Sequence, residues 1–277
     1  MARINFANPI SSSPLNRGLV SWWPTLPQLA GGNRWLDLCG RNHCTLNTGV
    51  SWAGSGGGNG QIAAIGWDGS TGYAEAATST SMDTSVGTWS GWFNTTQSVA
   101  SNYFSLMARS GSSSLAGINL YLEQTTAKIG WQIHNGASTV NGTQTTTTGY
   151  NDGKWHHWAL VWDQANAATV TLYVDGVSAA TSINSNSWAF SGQVLRIGYA
   201  LDTFWKRWLG KNGPVRIHDR KLSGDEVAAI RFDDMIGNRQ LFNYVNARRP
   251  VNSVAAGTFQ SAWALGSNVV IQPTVSA

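Results

Sequence analysis

The stretch from Asp152 to Gly176, DGKWHHWALVWDQANAATVTLYVDG, decides the fold. It holds two β-branched and aromatic runs, Trp155–Trp162 and Thr169–Val174, joined by the polar connection Asp163–Ala168. That pattern predicts two antiparallel strands and a loop. Side chains alternate across a strand, so His156, Trp158, Leu160 and Trp162 share one face, with His157, Ala159 and Val161 on the other. In the second run Val170, Leu172 and Val174 oppose Thr169, Thr171, Tyr173 and Asp175. Asp175-Gly176 then makes a tight turn, because Gly accepts the positive φ a hairpin needs.

Working outward from this hairpin, the same rhythm recurs. Gly18–Trp23, Ile62–Trp67, Tyr73–Ala76, Thr88–Asn94, Phe104–Arg109, Gly117–Glu123, Lys128–Asn135 and Ser138–Asn141 precede it as strands. Thr143–Thr148 is a Thr-rich edge or loop, and Trp188–Phe190 and Val194–Tyr199 follow the hairpin. In Thr88–Asn94, Phe93 alternates with Trp92, and Trp89 is read as facing away from Gly91. Strands about ten residues apart, with turn residues between them, predict a two-sheet sandwich. Helical spacing is confined to residues after Ser223. The Ser223 hydroxyl and Glu226 form a capping box, Val227, Ile230, Arg231 and Met235 recur helically, and Gly237 ends the run.

The order of residue types in the hairpin resembles the central hairpin of the laminin-G-like, concanavalin A-like jelly rolls. Other stretches carry the same resemblance: GLVSWW with Asp37–His43 at the opening, WDGSTGY (67–73), TWSGWFN (88–94), LRIG (195–198) and GKNGPVRIHDRKLSGDEV (210–227). The insertion Pro24–Arg34 and the Gly213-Pro214 pair, which stands where the family has acids, depart from it. The resemblance spans about Gly18–Val227. It implies an all-β, antiparallel jelly roll over residues 18–222, flanked by an N-terminal arm (1–17) and by a short helix and C-terminal arm (223–277).

Composition narrows the function. Only 12% of residues are charged, about half the usual share, while Gly (31) and Trp (15) abound. The net charge of +4 is mildly basic, and the densest basic spots are Lys206-Arg207, Arg216–Lys221 and Arg248-Arg249. A nucleic-acid binder concentrates more charge than this, so no nucleic acid is expected. No window reaches the length of a transmembrane helix, and MARINFANPISSS lacks the apolar core of a Sec signal, so neither membrane nor signal-led export is expected. Cys39 and Cys44, in CGRNHC, are compatible with a small-loop disulfide or with two free thiols. A zinc site would need two further ligands, with His43 the only other one close in sequence.

Catalysis finds little to work with. Concanavalin-like glucanases carry close carboxylates on one strand, and retaining glycosidases need two carboxyls about 5–5.5 Å apart. Here the chain's Glu residues, Glu75, Glu123 and Glu226, are each isolated, and Asp233-Asp234 falls in the helix. His156-His157 is the best acid–base pair, but neighbours on a strand face opposite sides, which predicts one in the core and the other exposed. No enzyme is expected, and no cofactor. Calcium is the family's usual ion, but Asp68, Asp83, Asp152, Asp163 and Asp175 are scattered turn residues.

The rings are the remaining resource. Phe204, Trp205 and Trp208, with Arg207 among them, are candidates for stacking on sugars, for an interface, or for core packing. Beyond the helix, Phe242, Tyr244, Phe259 and Trp263 stand in an apolar segment broken by Pro250 and Gly257, which suits contacts between molecules. Its end, FQSAWALGSNVVIQ (259–272), resembles the ends of small open reading frames in tailed-phage structural clusters. The expectation is therefore a non-enzymatic virion protein, a capsid decoration or fibre-associated module. Its partners would be the major capsid protein or other virion proteins, its own copies, and surface glycans. The alternative is a secreted or surface carbohydrate-binding module in an extracellular setting.

Overall fold

The computed structural model describes residues 13–25, 33–53, 64–100, 102–110, 116–135, 140–164, 169–183, 192–200 and 204–234. Its strands run in order as β1 (Leu19–Trp23), β2 (Arg34–Trp35), β3 (Cys44–Leu46), β4 (Val50–Ala53), β5 (Ala64–Asp68), β6 (Ala74–Ala76), β7 (Val86–Asn94) and β8 (Phe104–Ser110). There follow β9 (Ala116–Leu122), β10 (Ile129–Asn135), β11 (Val140–Gln144), β12 (His156–Asp163), β13 (Thr169–Val174), β14 (Val177–Ile183), β15 (Val194–Ile197) and β16 (Leu209–His218). One helix, α1, spans 224–234. It is too short to cross a membrane.

These strands form two antiparallel sheets, each with eight strands. Sheet A is ordered β14-β13-β12-β7-β16-β5-β4, with β1 on the far half of β16. Sheet B is ordered β11-β10-β9-β8-β15-β6-β3-β2. This is the two-sheet jelly roll that the sequence predicts. β12 and β13 pair with Trp158 opposite Val174, Leu160 opposite Leu172 and Trp162 opposite Val170. All six are buried in the inter-sheet core, as the alternation requires. Asp175 (φ 53°) and Gly176 (φ 85°) make the tight turn into β14.

The core is unusually rich in indole. Trp23, Trp35, Trp89, Trp131, Trp158, Trp162 and Trp208 are all fully buried. Such rings fit only where a facing strand gives way. A Cβ on Gly87 would stand 2.4 Å from the Trp162 ring, so a larger residue there has no room. The strict alternation of β7 sets Trp89, Gly91 and Phe93 on the inner face, opposite Leu160, Trp158 and His156. The expectation that Trp89 and Gly91 face opposite ways is therefore corrected. Cys39 and Cys44 are free thiols, which resolves the choice the sequence left open.

A second, smaller core lies on the outside of sheet A. Ala159 and Val161 of β12 meet Leu222, Val227 and Ile230, with Leu15 and Tyr173 packed alongside. The capping box that starts α1 is present: the Ser223 Oγ accepts from Glu226 N (3.2 Å), and Glu226 Oε2 accepts from Ser223 N (2.9 Å). The helix end is tied down by Arg216, fully buried, whose guanidinium lies 2.6 Å from both Asp233 and Asp234. Arg216 also lies over the Trp22 ring. One sheet face is thus closed by the chain's own helix.

Candidate functional site

The outer face of sheet B carries no described helix, and the middle of it is buried under side chains. Strand pairing aligns one row across it: Gly142, Gln132, Asn119, Ala108, Arg196, Glu75, Thr45 and Arg34. A second row reads Gln144, Gly130, Tyr121 and Ser105. Each of these alternates with core residues such as Trp131, Leu120 and Leu195, so their polarity follows from the period of two.

Over this face the chain lays an aromatic cluster. The segment around Lys206 pairs with the start of β8: Ser105 N donates to Lys206 O (3.1 Å), and Lys206 N to Tyr103 O (2.8 Å). That brings Trp205 onto Ala108, Tyr121 and Ala200. Tyr103 touches Tyr121, Trp205 and Phe204, and its ring stacks on that of Phe204 at 5.6 Å and 24°. Trp205 is only 4% exposed, whereas Phe204 is 60% exposed. Tyr121 lies across β10 because Gly130 offers no side chain; a Cβ there would sit 2.6 Å from its ring.

The amides beside the rings are partly unsatisfied. Asn119 Oδ1 accepts from Ser105 Oγ (2.8 Å), but its Nδ2 is buried and finds no partner among the described residues. Gln132 Nε2 lies 2.8 Å from His134 Nε2, and Gln144 Nε2 donates to Tyr121 Oη (3.4 Å). Burial pushes the Tyr121 phenol up, so it stays protonated. On the other flank, the Arg207 guanidinium lies 4.0 Å above the Tyr199 ring and 5.0 Å from that of Tyr73, and donates to Thr71 O (3.2 Å).

The four ring-and-guanidinium candidates thus part company. Phe204 and Arg207 reach the surface, Trp205 supports them from below, and Trp208 turns into the core against Phe93. Sequence reasoning missed Tyr73, Tyr103, Tyr121 and Tyr199, which only the pairing of distant strands gathers. Phe242, Tyr244, Phe259 and Trp263 lie outside the described residues, as does the strand expected at Trp188–Phe190.

The two histidines differ from the expectation of one core and one exposed, because α1 closes the outer face. His157 is wholly buried beneath it, edge-on to Trp92 at 5.2 Å, and burial lowers its pKa to about 3. His156 sits between Phe93 and Tyr150 and bridges Asp175 (2.8 Å) and Asp152 (3.1 Å). Burial opposes its charge, but hydrogen bonds to the two carboxylates outweigh it and raise its pKa. No nucleophile is among its partners.

Two of the turn carboxylates are occupied by their own backbone. Asp68 takes the backbone N–H groups of Ser70, Thr71 and Gly72, and Asp37 takes those of Trp22, Cys39, Arg41 and Asn42. Among the described residues no three His, Cys, Asp or Glu side chains converge. A groove of about 720 Å³ also opens on sheet A beside Gly66, Asp68, Asn94 and Lys211. Its polar groups are largely engaged within the fold: Asn94 Nδ2 donates to Gly153 O and Thr95 Oγ1 to Leu209 O.

Comparison with known proteins places the fold. The family model described as the concanavalin A-like lectin/glucanases superfamily matches residues 68–228. No curated protein matches the chain. Among solved structures, the binding domain of Paraclostridial Mosquitocidal Protein 1 is similar with a TM-score of 0.58 at 15% identity, over 77% of this chain and 51% of that one. Domain 4 of AbnA, a GH43 extracellular arabinanase from Geobacillus stearothermophilus in complex with arabinotriose, gives 0.57 at 14%, over 76% and 97%. The botulinum neurotoxin serotype G binding domain gives 0.57 at 13%, over 77% and 50%. The chain spans about half the length of the toxin binding domains it matches.

Proposed function

The chain belongs to the concanavalin A-like lectin/glucanases superfamily, and from that premise we propose that it is a carbohydrate-binding module using the outer face of sheet B. The observation that carries this is the stack of exposed Phe204 on half-buried Tyr103, set beside planar amides on a sheet face that no described helix closes. Sugar rings offer apolar C–H faces to aromatic rings and hydroxyls to amides, and the half-buried Gln132 and Gln144 are the amides on this face that such hydroxyls can reach. The arabinotriose complex of the arabinanase domain, on the same fold, supports the reading.

In this reading the module binds without cleaving. In support of it, the three Glu side chains are engaged within the fold, Glu75 with Arg196, Glu123 with Thr126 and Glu226 with Arg220. The setting would be extracellular, or the surface of a particle, where glycans are met. The experiment is affinity electrophoresis and calorimetry against a panel of neutral and acidic oligosaccharides. Binding that weakens at least tenfold in Tyr103→Ala and Phe204→Ala, with folding intact, is the expected result. A panel that shows no binding overturns the proposal.

A second reading is a structural protein of a tailed-phage particle, in contact with its own copies and with the major capsid protein. The apolar sequence around Phe242, Tyr244, Phe259 and Trp263, together with the low charge, favours it. Mass spectrometry of purified particles tests it. Absence of the chain from them counts against it.

A further inference from the structure

We infer that the sugar bound on sheet B is acidic, and that Arg207 receives its carboxylate; this rests on the carbohydrate-binding reading and narrows its ligand to glycans that carry a carboxylated sugar, for which uronic acids serve as the probe. The patch beside the aromatic stack carries the guanidinium groups of Arg196 and Arg207, with the carboxylates of Glu75 and Asp68 nearby, and Asp68 is spent on the backbone N–H groups of its own turn. Glu75 is committed to Arg196 Nη2. Arg207 has no carboxylate partner among the described residues.

The two arginines share one ring. Arg196 lies 5.6 Å from the centre of the Tyr73 ring and Arg207 5.0 Å, while Arg207 also covers Tyr199. The two tyrosine rings and the Nη1 donation to Thr71 O hold the Arg207 guanidinium in place and leave the rest of its edge for a ligand. A planar two-oxygen acid matches that edge bidentately. Behind it Arg196 is 8% exposed, and its Nε and Nη1 are buried without a partner. Of the two cations on this ring, only Arg196 has a carboxylate partner among the described residues, which leaves the charge of Arg207 without direct balance there. A ligand carboxylate supplies the missing balance. Arg207 also follows Phe204 by three positions, and Arg196 adjoins Ala108, on which Trp205 rests. A saccharide lying on the Tyr103–Phe204 stack therefore has the arginine pair at its side.

Methyl esters of uronic-acid oligosaccharides provide the probe, since they keep the ring and remove the charge. Calorimetry of the full chain compares oligogalacturonides and alginate oligomers with their methyl esters, at low and at physiological salt. The acid form should bind about tenfold or more tightly than its ester, as one charge-assisted contact implies. Added salt should narrow that gap. Arg207→Gln should abolish it, and Arg207→Lys, which keeps charge and loses the fork, should retain part of it. Circular dichroism confirms that both variants fold. Equal binding of acid and ester, or a preference that survives in Arg207→Gln, overturns the inference. If neutral sugars bind through Tyr103 and Phe204 without acid preference, only this inference falls. If no sugar binds at all, it falls together with the carbohydrate-binding reading.

Discussion

Replacing His157 by Leu tests whether α1 seals the outer face of sheet A. The imidazole is fully buried, and neither ring nitrogen has a partner among the described residues. Its pKa is lowered to about 3, first by burial and then by the charges of Arg231 and Arg216, with Asp175 opposing. The unfolded chain takes up a proton near pH 6.5 that the folded chain refuses until about pH 3. Stability from this group is therefore complete above pH 6.5 and drains as pH falls, by about 1.4 kcal/mol per pH unit. Between pH 6.5 and 4.5 the loss is about 3 kcal/mol. Other groups titrate in the same window. His218, lowered to about 4 chiefly by burial, adds to the loss, while Asp234, raised to about 6 by burial, offsets it, because the folded state then binds the extra proton. Those groups are shared by both proteins, so the comparison isolates His157. Urea unfolding followed by Trp fluorescence at pH 7.5, 6.5, 5.5 and 4.5 is the assay. Leu removes the titration, so the stability of His157→Leu relative to the native chain should climb by about 3 kcal/mol across the lower two units. A difference that stays constant with pH would mean His157 is solvated and the helix is not seated as described.

Three further outcomes follow from the same geometry. Trp162→Ala opens a cavity where the indole meets Trp89 edge-on at 5.6 Å, and should cost about 3–5 kcal/mol in urea unfolding; a neutral result would place Trp162 outside the core. Asp175→Asn keeps the left-handed turn, which Asn tolerates, but removes the partner of His156. Because the folded His156 pKa is raised, the pair contributes fully below pH 6.5 and fades as pH climbs past the folded value. The variant should lose roughly 1–2 kcal/mol at pH 5.5 and much less at pH 9, and equal losses at both would sink this account. Burial pushes the Cys39 thiol up to about 12 and that of Cys44 well above its ordinary value, so both should resist a maleimide at pH 7.5 until urea unfolds the chain. Rapid labelling of either in the native protein would contradict their placement.

Much of the fold is legible in the chain because its strands are of two readable kinds. β12 carries its signal in bulk, since eight residues from His156 to Asp163 hold two indoles and strong β-formers. The capping box at Ser223 is equally local, needing only a hydroxyl and a carboxylate three residues apart. By contrast β14, Val177–Ile183, reads VSAATSI and is mostly exposed at the sheet edge. It has no apolar alternation to betray it, and its strand character comes from pairing with β13. β3 and β4 are too short to give a pattern and depend on the partners they find in β6 and β5. The burial of His157 was hidden for a different reason: alternation tells which face a residue takes, not what later covers that face.

The candidate site shows the same boundary between local and distant information. Phe204 and Arg207 stand out in the sequence because large rings and guanidiniums crowd into one loop. Their partners do not, since Tyr73, Tyr103, Tyr121 and Tyr199 come from four separate segments and meet only after β6, β8, β9 and β15 have paired. Local reading therefore favours the residues nearest in sequence, and it cannot separate Trp208, which turns inward, from Phe204, which turns out. What separates them is the period of the strand that starts at Leu209 and the short parallel bridge of Lys206 to Phe104. The helix works to the same end from the opposite side. By packing Val227 and Ile230 on Ala159 and Val161, it withdraws that part of the outer face of sheet A from solvent. On sheet B the centre of the outer face is covered instead by the chain's own rings, and Phe204 is the one of them that stands largely in solvent.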